Sequence, residues 1–280
     1  MTLLTVRHTT TYRYKQPVSF GEHRMMFRPR DSYDQKLLEA WLTIKPEPTT
    51  MRWVHDVFGN CVTIADFNGR PAKELRFESN IWLDHAPTNA PVFEIEDYAQ
   101  KYPFTYTPEE MSDLLPATTP QYPDPDQAIH NWVRQFLRKG GPTDTGMLLM
   151  TLTYAFKESF TYERRTEPGT RPPSETLRLK RGSCRDLALL MIEALRSLGF
   201  AARFVSGYLV QLVADQAPLD GPAGPTRDFT DLHAWAEVYI PGAGWIGLDP
   251  TSGLMAGEGH IPLACTAFPS SAAPVIGGTD

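Results

Sequence analysis

Hydrophobic and polar positions alternate through most of the first hundred residues. Alternation with a period of two runs through residues 4–14, at Leu4, Val6, His8, Thr10, Tyr12 and Tyr14. This period is typical of a strand with one buried face. Further strands are predicted over residues 38–44, 51–57, 61–65 and 76–83, and no long helix is indicated before about residue 95. We therefore predict an N-terminal β domain over residues 1–105, similar in architecture to a small β-sandwich.

Helical periodicity replaces this alternation in the second half of the chain. Residues 106–124 belong to a stretch rich in proline, threonine and tyrosine and predict a linker. A helix is then expected to residue 137, with Asp124 as its cap and Gln127 completing a capping box. A second helix is predicted over residues 144–156.

The most regular helix in the pattern follows Ser183. Its apolar positions have helical spacing, at Leu187, Leu190, Met191, Ala194 and Leu198. Ser183 is a suitable N-cap, Asp186 is the acidic member of a capping box, and Gly199 is a natural stop. Since Leu189, Ile192 and Leu195 fill other faces, we expect this helix to be buried on most sides.

Three strands are predicted after this helix, over residues 201–211, 231–240 and 245–249. A turn over residues 241–244 joins the last two. Because side chains alternate along a strand, His233 and Asp249 can share a face only if their hairpin loop contains an odd number of residues. A loop of three or five residues would place Asp249 opposite or diagonal to His233.

Composition narrows the class of protein. The chain has 280 residues and a net charge of −6, which argues against a general nucleic-acid binder. No apolar run approaches the ~20 residues of a membrane span, and no secretory signal is visible, so we expect no membrane partner and a cytoplasmic location. The three cysteines, Cys61, Cys184 and Cys265, are far apart and form no disulfide framework or zinc pattern. No cofactor is predicted.

Cys184 occupies the position where a helix can activate a thiol. At the first helical residue it faces the positive end of the helix dipole, which favours the thiolate. His233 could take the thiol proton, and Asp249 could hold the imidazole tautomer. The alternatives are a small buried cysteine and a metal site drawn from Cys184, His233, Asp249 and His260, which we regard as the weakest interpretation.

Three segments carry a family resemblance. Gly-Ser-Cys-Arg-Asp-Leu-Ala around Cys184, Asp-Leu-His-Ala-Trp-Ala-Glu-Val-Tyr around His233 and Trp-Ile-Gly-Leu-Asp-Pro-Thr around Asp249 resemble the three motifs of the transglutaminase-like superfamily. The N-terminal segments Tyr-Arg-Tyr-Lys-Gln-Pro-Val and Val-Phe-Gly-Asn resemble the β domain that precedes this core in bacterial members. The resemblance implies an α+β fold with a papain-like core over residues 125–265, helices packed on an antiparallel sheet, and a tail over residues 266–280.

The resemblance also implies a catalytic triad and a reaction. Cys184 would be the nucleophile, His233 the base and acid, and Asp249 the orienting group, acting on a peptide or protein amide through a thioester. Hydrolysis is our preferred reaction. Transfer of a glutamine γ-acyl group to an amine is the first alternative, and a non-catalytic peptide-binding module is the second. The chain lacks the acidic calcium-loop spacing that animal cross-linking members carry.

Further site residues are weaker predictions. Tyr162, Ser183 and Trp235 are predicted to bind substrate, and Tyr162 is also a possible second oxyanion donor beside the backbone N–H of Cys184. The basic segment 161–182 could hold the thiolate or an acidic substrate. The long loop over residues 214–229 is of the kind that closes over active sites. The sequence leaves the substrate and the oligomeric state open.

Overall fold

The computed structural model describes residues 2–85, 94–212, 228–257 and 259–280. The N-terminal region consists of β1 (Thr2–Arg28), β2 (Gln35–Lys45), β3 (Thr50–His55), β4 (Cys61–Asp66) and β5 (Pro71–His85). The rest of the described chain contains, in order, β6 (Lys101–Tyr102), α1 (Pro108–Thr118), α2 (Ala128–Arg134), β7 (Thr143–Asp144), α3 (Thr145–Ser159), β8 (Thr161–Tyr162), α4 (Pro173–Leu179), β9 (Arg181–Gly182), α5 (Cys184–Ser197), β10 (Ala202–Gln211), β11 (Phe229–Ile240), β12 (Gly244–Asp249), β13 (Leu254–Met255), β14 (His260–Thr266) and β15 (Val275–Thr279). Short 3-10 helices occur at Asp97–Ala99 and Pro269–Ala272.

The N-terminal strands form one antiparallel arrangement in the order β2-β5-β1-β4-β3, and β15 also pairs with β1. The long strand β1 changes neighbours along its length: it pairs with β5 as far as Ser19, and with β4 and β15 from Phe20 onward. Side chains from both parts meet in one buried cluster, which contains Phe20, Met25, Phe27, Ile44, Ala65, Phe67, Leu75 and Phe77. A strand that serves two sheet halves around one core gives the sandwich-like architecture.

A second antiparallel sheet carries the helices. Its strand order is β13-β12-β11-β10-β14, and α5 packs across β10 and β11. Alternate residues of β11 face this helix and are buried, namely Ala234, Ala236, Val238 and Ile240. Nearly every residue of α5 is buried, as its apolar faces predict. The chain is thus an α+β protein with a strand-rich N-terminal region and a core of helices on an antiparallel sheet.

The two regions share a buried contact. Leu4, Val6, Ile81 and Leu83 of the first sheet pack against Tyr208, Val210, Ile261 and Leu263 of the second. The side chain of Asn60, in the turn before β4, accepts from the backbone N–H of Cys265 at 2.9 Å and donates to its carbonyl at 3.1 Å. The apolar contact and this buried amide pair fix β14 against the N-terminal region.

Regular structure occurs in two segments where the sequence predicted none. The predicted linker 106–124 contains α1, whose Thr107 and Glu110 form a capping box. The predicted tail 266–280 contains β15, which returns to β1. The domain boundaries themselves stay predictions.

The helix predicted to run from Asp124 to residue 137 is shorter. α2 begins at Ala128 because Gln127 adopts a left-handed conformation, with φ 52°. Asp124 does accept from the first backbone N–H groups, but Gln127 makes no side-chain cap. Among the described helices, none is long and apolar enough to cross a membrane.

Candidate active site

Cys184 is the first residue of α5 and is 9% exposed. The helix start is fixed by Asp186, whose Oδ2 accepts from the backbone N–H of Ser183 at 3.0 Å and from its hydroxyl at 2.9 Å. The predicted cap is therefore present, although the serine hydroxyl donates to the aspartate. The arrangement holds the thiol of Cys184 at the positive end of a well-formed helix.

Asp186 also holds a loop against this helix. It is fully buried, and its carboxylate accepts from the Arg165 guanidinium at 2.7 and 2.9 Å and from the backbone N–H of Arg171 at 2.7 Å. Burial would raise the pKa of Asp186, but these hydrogen bonds and those from Ser183 outweigh burial and hold the pKa below its usual range. These hydrogen bonds hold residues 165–171 against the first turn of α5, next to Cys184.

The hairpin formed by β11 and β12 brings His233 to Asp249. Ile240 pairs with Gly244 and Ala236 with Leu248, so the connection contains three residues, and the same register continued by one residue places Asp249 opposite Trp235. The odd loop confirms the parity argument, because Asp249 is then diagonal to His233 on the same face. His233 Nε2 lies 3.1 Å from Asp249 Oδ2.

The charges of this pair reinforce each other. Burial disfavours the imidazolium of His233, but hydrogen bonds to Asp249 and to Cys184 outweigh burial and raise its pKa well above the ordinary value. Burial would raise the pKa of Asp249, yet hydrogen bonds from His233 and His260 lower it far below the usual range. Since Nε2 of His233 faces Asp249, Nδ1 is the ring nitrogen left for Cys184. The raised pKa of His233 and the lowered pKa of Asp249 favour an imidazolium beside a carboxylate.

Two family models match separate segments of the chain. The model of the bacterial transglutaminase-like N-terminal region matches residues 4–84, and that of the transglutaminase-like superfamily matches residues 134–250. Together the two matches cover well over half of the chain. The chain belongs to the transglutaminase-like superfamily.

The relatives extend this likeness over most of the chain. Uncharacterised proteins of Mycobacterium tuberculosis and Mycobacterium bovis are each 29% identical over 271 residues, covering 91% of this chain and 81% of theirs. The crystal structure of a candidate cysteine protease from Cytophaga hutchinsonii has a TM-score of 0.67 at 17% identity, covering 99% of this chain and 89% of that chain. At this identity the structural match establishes the shared fold.

The transglutaminase-like core contains a cavity of about 410 Å³ beside Cys184. Cys184, His233 and the predicted substrate-binding residues Tyr162 and Ser183 all line it. The walls also carry charged and aromatic side chains, among them Tyr122, Arg164, Arg165, Arg185, Asp231 and Phe268. Tyr162 and Ser183 therefore lie where a substrate bound next to Cys184 would contact them, and their role in binding stays a prediction.

Trp235, also predicted to bind substrate, does not line this cavity. It is 2% exposed and packs with Val205 and Cys265, with its ring edge-on to His260 at 5.1 Å between centroids. Its ring covers Gly207, where a Cβ would lie 2.7 Å from the indole. Trp235 therefore supports the His–Asp pair from behind. The proposed closing loop 214–229 lies almost entirely outside the described residues.

Asp186 and His260 make more contacts in the site than the sequence predicted. Sequence reasoning treated Asp186 only as a helix cap and His260 only as a possible metal ligand. The capping pattern around Asp186 does not reveal that its carboxylate also accepts hydrogen bonds from Arg165 and Arg171. His233, Asp249 and His260 do place their ligand atoms within 4.8 Å of one another. However, the histidine nitrogens lie at hydrogen-bond distance from the carboxylate, which satisfies it without a cation.

Proposed function

We propose that the protein is a thiol enzyme that acts on amide bonds through a thioester, with hydrolysis as its reaction. The observation that carries the proposal is that Cys184 and His233 line one cavity, and that His233 Nε2 lies 3.1 Å from Asp249 Oδ2 behind it. A nucleophile, a base and a group that orients the base are what acyl transfer by a thiol requires.

The first half of the reaction makes the thioester. Nδ1 of His233 takes the proton of Cys184, and the thiolate attacks the carbonyl carbon of the substrate amide. The backbone N–H of Cys184, which has no partner within α5, donates to the oxygen that becomes negative. When the tetrahedral intermediate collapses, the C–N bond breaks and His233 gives its proton to the leaving amine.

The second half releases the acid. Water enters the cavity and loses a proton to His233 as its oxygen bonds to the thioester carbon. The C–S bond then breaks, the imidazolium returns the proton to the sulfur, and Cys184 is restored. Asp249 stays ionised throughout, because its lowered pKa keeps it a carboxylate. Its role is to hold Nε2–H of His233 and to stabilise the imidazolium.

The cavity walls suggest which amides would fit. Arg164 and Arg185 line the same cavity as Cys184, and Asp231 lines it too, while Arg165 is neutralised by Asp186. A peptide that presents a carboxylate near the scissile amide would complement these arginines. Description of the Cytophaga hutchinsonii protein as a candidate cysteine protease agrees with hydrolysis as the reaction.

The first experiment measures alkylation of each cysteine by iodoacetamide against pH, read by peptide mass spectrometry. We expect Cys184 to react at pH 6 at least about tenfold faster than Cys61, because an ordinary thiol is almost fully protonated there. His233→Ala should slow the alkylation of Cys184 itself, and His55→Ala, which changes an exposed histidine on β3, should leave the rate of Cys184 unchanged. If Cys184 reacts no faster than Cys61 at any pH, the enzyme proposal is wrong and a peptide-binding role takes its place.

A second experiment separates hydrolysis from amine transfer. Wild type and Cys184→Ala are incubated with a glutamine- and glutamate-rich peptide library, with and without a labelled primary amine. Hydrolysis produces shortened or deamidated peptides, and their formation should depend on Cys184. Transfer instead attaches the labelled amine to glutamine. Predominant amine attachment would assign the chain to glutamine–amine transfer. Product formation by Cys184→Ala at the wild-type rate would contradict both reactions.

A further inference from the structure

Asp249 receives a second histidine on the same oxygen that binds His233. His260 Nε2 lies 3.2 Å from Asp249 Oδ2, against 3.1 Å for His233 Nε2. The other oxygen, Oδ1, accepts from the backbone N–H of Thr251 at 2.8 Å. Asp249 is 1% exposed, and the side chain of His260 is only 10% exposed. The orienting carboxylate is therefore held by three donors in a site that is almost closed to water.

His260 reaches this carboxylate from a strand that does not neighbour its own. It begins β14, and β10 and β11 lie between β14 and β12 in the sheet. The contact is made across the face that carries Trp235, whose ring meets both histidines. Gly207 permits this approach, because a Cβ there would lie 2.1 Å from the carbonyl oxygen of Ile261.

The hydrogen bonds of His260 define which nitrogen carries its proton. Nδ1 accepts from the backbone N–H of Gly257 at 3.4 Å, so the proton of the neutral ring is on Nε2. Nε2–H then donates to Asp249. This donor gives Oδ2 of Asp249 a second side-chain hydrogen bond beside that of His233.

We propose that His260 is a positioning residue for the reaction, which acts through Asp249 by fixing the direction of its Oδ2 toward His233. This inference rests on the proposed function. A carboxylate with one side-chain donor can turn about its Cβ–Cγ bond, whereas donors on both sides of Oδ2 and a backbone donor on Oδ1 hold one orientation. The ring of His233 then keeps Nδ1 directed at Cys184.

The test compares two substitutions of His260 that differ in one property. His260→Gln keeps an N–H donor near the position of Nε2, and His260→Leu keeps apolar bulk without a donor. Loss of the group that orients a functional histidine costs about 10–100-fold at metal sites, so we expect Cys184 alkylation at pH 6 to fall about tenfold in His260→Leu. His260→Gln should recover most of that rate. A purely structural role predicts no such rescue.

Controls separate this inference from the proposed function. Urea unfolding establishes that each variant is folded under the assay conditions, and His233→Ala is measured in the same series. If wild-type Cys184 has no enhanced reactivity, the proposed function fails. If His233→Ala loses the enhancement while folded His260→Leu keeps it at all pH values, only the role of His260 is overturned. Loss of wild-type reactivity in EDTA would also overturn it, because His260 would then act as a metal ligand.

Discussion

Replacing Asp186 by asparagine tests the contact that ties the cavity wall to the helix of Cys184. The buried carboxylate accepts from Ser183, Arg165 and the backbone of Arg171 at distances of 2.7 to 3.0 Å. Asparagine keeps one acceptor oxygen but turns an NH₂ group toward donors that it cannot bind. The substitution also leaves the guanidinium of Arg165 without its carboxylate.

The magnitude follows from the burial of both partners. Breaking one side of a buried ion pair costs about 3–5 kcal/mol. Arg165 is 14% exposed and can turn toward Glu167, whose carboxylate is 3.6 Å away, so the lower end applies. We expect Asp186→Asn to lower the free energy of unfolding by about 3 kcal/mol. Arg165→Gln, the matched control, should cost only about 1–2 kcal/mol, since Asp186 keeps its donors from Ser183 and Arg171.

Urea denaturation at several pH values gives a second criterion with a definite sign. The pKa of Asp186 is held below its usual range, so its contribution to stability is complete above about pH 4 and is lost as the pH falls through the folded-state value. The stability gap between wild type and Asp186→Asn should be constant from pH 6 to 8 and should narrow on acidification. A cost below about 1 kcal/mol, or a gap that widens in acid, would refute the reasoning.

Two further predictions concern the support of the site and its selectivity. Gly207→Ala should lower the free energy of unfolding in urea by about 3 kcal/mol and should slow Cys184 alkylation, because its Cβ would meet the Ile261 carbonyl and the Trp235 ring. Gly141→Ala is the control, since a Cβ there would have nothing within 4 Å, and it should change neither quantity. A Gly207→Ala protein with unchanged stability and reactivity would contradict the packing described. Burial raises the pKa of Cys265 to about 12, so this thiol should resist iodoacetamide at pH 7 until urea unfolds the protein, whereas labelling of Cys265 in the folded state would show that β14 opens.

Local sequence patterns predicted the parts of the site that depend on neighbours in the chain. The cap at Ser183 and Asp186 places Cys184 at a helix start, and both residues lie within one helical turn of it. Strand alternation made a shared face for His233 and Asp249 depend on an odd hairpin loop, and the structure supplies a loop of three residues. The α+β class also followed from these patterns together with the motif resemblance.

Helix α1 was missed although its sequence contained the signal. Thr107, Pro108 and Glu110 form a helix start, with proline at the first position and a capping box around it. The proline content of the surrounding segment suggested a linker instead. Pro116 lies within this helix, and the buried Leu114 and Ala117 pack beside Ala201. Tertiary packing therefore offsets a composition that is unfavourable to a helix.

By itself the sequence determined that Cys184 begins a helix and that His233 and Asp249 lie on two strands of one hairpin, because caps and strand alternation are short-range properties. Only the tertiary structure decided that Arg165 pairs with Asp186, that Trp235 lies behind the site, and that His260 shares the carboxylate of Asp249. These contacts join segments whose order in the sheet and curvature are set by the packing of the whole core. A periodic pattern records which face of an element is buried, but it does not record which distant side chain that face meets.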